Sequence, residues 1–191
     1  MLNQEDIIKG CRKNESSAQK QLYDLFNKKM YGICLRYISD KDAAKDILQD
    51  AFVKVFMDFN KYKGEGSLEG WLRRVFVTTA LMHLRQKKKL NLEPLVDNTD
   101  SYALTTDDDE NNSISTLDFT QEELFNTINL LPDDFKVVFN LFCVENYSHK
   151  EISNLLDINE NTSRSRLNRA RHILQGHLLK LISTRKNVNQ G

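Results

Sequence analysis

The chain's 191 residues carry 27 lysines and arginines against 27 aspartates and glutamates, with 40% hydrophobic and 28% charged residues. That balance is ordinary for a globular chain. With no apolar run near the ~20 residues of a membrane helix and no signal-peptide pattern, membrane insertion is not expected and a cytoplasmic chain is.

Two prolines and seven glycines favour long helices over turn-rich strands. A first short helix is predicted over Asn3–Lys13, capped by Asn3, with Ile7, Ile8 and Cys11 on one side. Ser16 or Ser17 then caps a longer helix to about Tyr37, striped by Leu22, Phe26, Met30, Ile33 and Tyr37 with Leu25 beside them. Ser39-Asp40 opens a third helix to about Phe59, with Ala43, Ile47, Ala51, Val55 and Phe59 inward and Leu48, Phe52 and Phe56 widening the stripe. Its opposite face carries Asp42, Asp46, Gln49, Asp50 and Lys54, which reads either as a solvated face or as a patch for a partner. The loop Lys61–Gly66 is expected to be flexible, and no Gly-Lys-Ser/Thr follows its glycines to make a phosphate loop.

Ser67 caps a fourth helix whose inward side holds Leu68, Trp71, Leu72, Val75 and Phe76, continued by Thr79 and Met82. The helix ends in Arg85, Lys87, Lys88 and Lys89, favourable beside the negative end of a helix dipole. Arg73 and Arg74 lie one or two turns into the helix, where the dipole gives them no role. Cations along a ridge, with Trp71 and a loop containing Tyr62, suit single-stranded nucleic acid: charge for the backbone and pockets for bases.

Zero net charge hides a segregation of sign. Trp71–Asn91 contains no acid, Leu90–Phe135 contains no lysine or arginine, and no acid follows Glu160. Residues 91–118 are polar, acidic and aperiodic, with Asp107, Asp108, Asp109 and Glu110 in one run, and are expected to form a flexible linker. The division is therefore a helical domain over 1–90, the acidic linker over 91–118 and a second helical domain over 119–185.

The second domain begins with a helix near Thr120–Leu131, followed by Pro132–Glu145, which buries Phe135, Val138, Phe139 and Phe142. Then come two helices joined by a short turn. Ser148 and Glu151 form a capping box before Ile152, Leu155 and Leu156. Asp157–Glu160 breaks the pattern, and Asn159 or Asn161 caps the next helix, whose apolar stripe is Leu167, Ala170, Leu174, Leu178 and Leu181. Its other face carries Arg164, Ser165, Asn168, Arg169 and His172, flanked by Arg166 and Arg171. The pattern describes a helix-turn-helix whose second helix would enter a DNA major groove, with arginine suited to guanine edges and asparagine to adenine. An antiparallel helix pair with a solvated basic face is the plainer reading. Residues from Ser183 are expected to fray.

Cys11, Cys34 and Cys143 are expected as free thiols, and the four histidines show no zinc-ligand spacing with them, so neither a metal nor a cofactor is expected. No acid–base pair or nucleophile constellation points to catalysis.

Three motifs resemble the sigma-70 superfamily of transcription initiation factors, in particular its small extracytoplasmic-function (ECF) type. Asp42–Phe56 is similar to the family's polymerase-binding helix, Trp71–Val75 with Thr79-Ala80 and Leu84-Arg85 to its −10 helix, and Tyr147–Ile152 with Thr162–Arg171 to its −35 reader. The resemblance covers nearly the whole chain. It implies an all-α fold of two small helical domains and a non-enzymatic protein that binds core RNA polymerase and double- and single-stranded promoter DNA, with an anti-sigma factor as a further partner. Asp46, Gln49 and Asp50 would face the clamp helices of the polymerase β′ subunit, with further contact to the β subunit. Tyr62, Lys63, Ser67, Trp71, Arg73, Arg74, Thr78, Arg85, Lys87, Lys88 and Lys89 would serve the −10 element and its melting. Arg164, Ser165, Arg166, Asn168, Arg169 and Arg171 would contact the −35 element. Thr78 departs from the family's usual asparagine, and Ser163 stands where a small apolar residue is frequent. Asn161 stands where glycine is frequent and could adopt the left-handed conformation glycine would take. Without polymerase dependence, the same residues describe a helix-turn-helix regulator that binds duplex DNA alone, and a helical scaffold that touches no nucleic acid is the third alternative.

Overall fold

The computed structural model describes residues 3–90 and 119–188, without the side chains of 87–90 and 186–188. The linker acids therefore lie outside the described residues, as do the lysine side chains at the end of the fourth helix. Among the described residues all regular structure is helical, and it falls into two compact units, one within Met1–Val96 and one within Asp97–Gly191.

The first unit holds helices α1 (Gln4–Arg12), α2 (Ser16–Tyr37), α3 (Lys41–Met57) and α4 (Leu68–Leu90). Asn3 caps α1, its Oδ1 accepting from Asp6 N at 2.9 Å, and Asp40 caps α3, accepting from Ala43 N at 2.7 Å. The α2 cap differs from expectation. Ser16 is already helical and Glu15 stands at the N-cap without a side-chain bond. The reason is α1: Glu15 N donates to Gly10 O at 2.9 Å, and the Cβ that an alanine would place at Gly10 would lie 2.5 Å from Ala18 Cβ. The two helices meet backbone to backbone, so their junction sets where α2 begins.

The stripe residues Leu22, Met30, Ile33, Tyr37, Ile47, Ala51, Val55, Leu72 and Phe76 form the core. Phe52 ties three helices together, its ring 4.7 Å from Tyr23 of α2 and 5.0 Å from Phe76 of α4. α3 buries Ala44 rather than Ala43, and Leu25 is exposed. Phe59 is buried as expected, but from a 3₁₀ turn (Phe59–Lys61) after α3 has ended. On α4, Trp71 and Val75 are only half-buried and Met82 is exposed, while Val77, Ala80 and Leu81 are buried.

In the second unit, α5 (Gln121–Asn129) opens on a capping box of Thr120 and Glu123. The single helix expected after Pro132 is divided into α6 (Asp133–Phe139) and a π-helical segment (Asn140–Val144); of the side chains expected inside, Val138 is buried and Phe135, Phe139 and Phe142 are half-buried. α7 (His149–Leu156) starts on the expected Ser148–Glu151 capping box. α8 (Glu160–Val188) runs helical past Ser183, where fraying was expected, and Leu178 and Leu181 on its stripe are half-buried. Arg185 in its last turns pairs with Glu123 and lies over the Phe119 ring, 5.4 Å from the centroid, which ties the end of α8 to the start of α5. That ion pair, helped by the Thr120 N–H and hydroxyl, pulls the Glu123 carboxyl down to about 2. Leu131, Ala170 and Leu174 form the small apolar centre, with Ile128, Phe135, Phe139 and Ile173 around it.

Candidate nucleic-acid and partner surfaces

The helix-turn-helix is built from α7 and α8. Asp157 ends α7 in the left-handed conformation with φ 56°, and Asn159 caps α8, its Oδ1 accepting from Asn161 N at 2.8 Å. This corrects the expectation for Asn161, which is helical: an aspartate takes the left-handed position four residues earlier, where its short side chain tolerates it. Buried Ile152, Leu167 and Ala170 hold the two helices together.

With that face packed, the opposite side of α8 presents Asn161, Arg164, Asn168, Arg171 and His172 to solvent. Steps of three and four residues place them on one ridge. Arg171, read from the sequence as flanking, belongs to it, and Asn161 is an outward residue that reading passed over as a cap. Stepping one turn back from Arg164 would have found it. Ser165 sits half-buried beside the ridge, its Oγ donating to Thr162 O at 3.0 Å, and Arg169 is half-buried. Arg166 departs most from the DNA-facing set. It points back to α6, 3.4 Å from Asp134, with only 22% of its side chain exposed. Arg164 keeps 58% of its side chain exposed while pairing with Glu160 at 3.2 Å.

His149, first residue of α7, stacks on Phe142 at 4.5 Å between ring centroids, and its Nδ1 lies 2.9 Å from Ser163 Oγ. Burial and the Arg164 charge lower its pKa, with Glu160 opposing and Arg171 adding to the effect. Burial raises the thiols of Cys34 to about 12 and of Cys11 to about 11, which keeps both protonated and unreactive.

The first unit offers two surfaces. On α3, Asp42, Asp46, Gln49 and Asp50 are exposed in the expected array, and the same face continues into Val53 and Met57, which are 55% and 78% exposed. Lys54 leaves this face: it is half-buried, with Nζ 3.5 Å from Thr79 Oγ1 on α4. On α4, Arg74, Thr78, Met82 and Arg85 form an exposed ridge. Met82 was expected inside, and its appearance here extends the ridge with an apolar member. Arg73 is half-buried and 3.7 Å from Glu69. Ser67 caps α4, accepting from Gly70 N at 3.1 Å, and Lys63 is exposed.

Tyr62 is a correction. Its side chain is 5% exposed, packed 5.5 Å from the Trp71 ring and 6.3 Å from the Phe59 ring. Its hydroxyl donates to Gly66 O at 3.0 Å, and its carbonyl accepts from Arg12 of α1 at 2.8 Å. The tyrosine thus anchors both ends of the loop, and Gly64 and Gly66, with φ of 85° and 83°, supply the bends between. Trp71 belongs to the same aromatic group. Among the described residues, no group of three or more His, Cys, Asp and Glu side chains is placed to hold a metal ion. No helix among them is long and apolar enough to cross a membrane.

These surfaces fall within two stretches that match known family models. Residues 22–90 match the model of sigma-70 region 2, and residues 121–174 that of sigma-70 region 4. The chain belongs to the sigma-70 family of transcription initiation factors and is of the ECF type. It is 27% identical to the ECF RNA polymerase sigma-E factor of Haemophilus influenzae over 95% of this chain and 98% of that protein. It is 26% identical to the ECF RNA polymerase sigma factor SigW of Bacillus subtilis, over 90% and 94%. Among solved structures, the sigma factor RpoE of Bartonella quintana, crystallised with the anti-sigma factor NepR, aligns with a TM-score of 0.51 at 20% identity. That alignment covers 84% of this chain and 96% of that one.

Proposed function

We propose that the chain docks on core RNA polymerase through the outward face of α3, reads the −35 element with α8 and captures the opened −10 strand along α4. The observation that carries this reading is the ridge Asn161–Arg164–Asn168–Arg171 on the second helix of the helix-turn-helix, on a helix with no acid after Glu160. Arginines suit guanine edges and phosphates, and asparagine suits adenine. Arg166 is better spent holding α8 on α6.

Asp46, Gln49 and Asp50 supply charge for a basic partner, and Val53 and Met57 supply apolar area on the same face. An anti-sigma factor competing for this face is the regulatory partner the reading admits. Arg74, Thr78, Met82 and Arg85, with Lys63 and Ser67 at the loop, face the melted strand, and Lys87–Lys89 follow in sequence. Tyr62 and Trp71 contribute by shaping the loop and its helix start. Binding exposed bases offsets the few kcal/mol lost on unstacking a step. The chain performs no chemistry itself, and the reading places it in the cytoplasm with the polymerase.

Pull-down with core polymerase, with and without DNA, tests this directly. Binding without DNA that Asp46→Lys with Asp50→Lys weakens, at unchanged helical content, is the expected result. Binding to duplex DNA with no polymerase affinity would instead identify an independent helix-turn-helix regulator. In transcription on a promoter library, Arg164→Ala should relax preference at one −35 position, at a cost of about 1–3 kcal/mol.

A further inference from the structure

Ser163 lies in the first turn of α8, and its side chain is completely buried at 0% exposure. A buried hydroxyl needs a bond, and His149 Nδ1 stands 2.9 Å away. The histidine is held from its other side by Phe142, whose ring is stacked at an interplanar angle of 23°. Arg171 reaches over the same Phe142 ring, 5.9 Å from its centroid. A continuous chain of contacts thus runs from Arg171 through Phe142 and His149 to Ser163. It touches α8 at two points about two turns apart and links it to the π-helical segment and to α7.

Ser163 immediately precedes Arg164 and Ser165. The depth and rotation of this first turn decide where Arg164, with Asn161 before it, would meet a duplex. We propose that His149 and Ser163 act as a positioning pair that holds the first turn of α8 in the register needed for sequence-specific reading of duplex DNA. The charged groups facing His149 are Glu160, Arg164 and Arg171, all from α8. Burial and the two arginines lower the imidazole's pKa, with Glu160 opposing. Nδ1 accepts from the Ser163 hydroxyl when the ring proton sits on Nε2, and donates to the Ser163 oxygen when it sits on Nδ1. The pair acts on the arginines' placement and touches no base. This inference rests on the −35 assignment above.

The test uses the full chain assembled with core polymerase. A promoter duplex is recovered from a random pool with the native protein, and a second duplex has its −35 segment scrambled. The readout is the ratio of transcription from the two, at a temperature where circular dichroism shows each variant folded. Ser163→Ala leaves the histidine without its partner, and His149→Phe leaves the hydroxyl buried and unbonded. Each should lower the ratio about tenfold, and the double variant, which has lost the same bond, should stay about tenfold low and not fall a further tenfold. His149→Asn keeps a bond to Ser163 and should also hold the ratio within about threefold, which covers the case of a single variant that does not fold.

Single variants that melt earlier yet keep the native ratio would reduce the pair to a stabilising bond and overturn the proposal. A double variant that returns to the native ratio, or one as poor as the two single losses multiplied together, or His149→Asn as poor as His149→Phe, would do the same. A native protein that shows no preference between the two duplexes brings down the −35 assignment and the pair with it, and is recognised before any variant is made.

Discussion

The two units solve the same problem, holding a helix so that one face stays exposed, by different physics. The first unit presents α3 and α4 from a core of large apolar side chains, with Tyr37, Phe59, Phe76, Leu22, Met30, Ile33, Ile47, Leu68 and Leu72 all fully buried. The second has Leu141 and Ile152 as its largest such side chains, and buries Thr127, Lys136, Asn140 and Ser163 alongside them. Apolar burial is strong and non-directional, whereas a buried polar group is stable only in the geometry that satisfies it. The first unit is therefore placed by volume, and the second by bonds whose direction matters. On the function proposed above, a surface that grips a partner along a helix tolerates the first solution, while a helix that registers with base edges benefits from the second.

The comparison can be broken most sharply in the first core. Phe76→Ala removes a fully buried ring at the meeting of α3 and α4 and should cost about 3–5 kcal/mol. Urea denaturation should then show the first unit's transition shifted while the second unit's stays in place. If both shift together, the units are energetically coupled and the contrast fails.

A smaller effect is expected at the α1–α2 junction. Gly10→Ala puts a methyl group where Ala18 Cβ already stands, so the helices must part at an overpacking cost of about 1–3 kcal/mol. Paired with Ala18→Gly, it should recover part of that loss in the same melt. Gly10→Ala without a lowered melting temperature would show the junction to be loose.

The smallest effect concerns pH and the second unit. The Glu123 carboxyl has its folded pKa depressed from 4.5 to about 2 by Arg185 and Thr120, so its contribution is present above 4.5 and lost as pH falls toward 2. Thermal melts at pH 5 and pH 3 should show the native second unit losing more stability than Glu123→Gln, which has no carboxylate to protonate. Equal losses would remove Glu123 from the anchoring of α8.

Most of the helices were legible because each follows from near neighbours in the chain. Apolar residues three and four apart marked α2, α3, α7 and α8, and Asn3, Asp40 and the Ser148–Glu151 box marked three starts. The basic face of α8 was legible for the same reason, since a helix with one apolar stripe must turn its other residues outward. What a side chain does once turned outward or inward depends on what stands opposite, and periodicity is silent on that. Arg166 shares a helix with Arg164, yet Asp134 on another helix claims it. Tyr62 sat in a polar loop with two glycines, and only Phe59, Trp71 and the Gly66 carbonyl made it a core residue. Met82 continued an apolar pattern, but the α4 core had already closed over Val77, Ala80 and Leu81. The sequence by itself determined the helices, their caps and the separation of charge, because these are local. The tertiary structure alone decided which cations stay available to a partner and which bury themselves in holding the fold, because that choice belongs to residues distant in the chain.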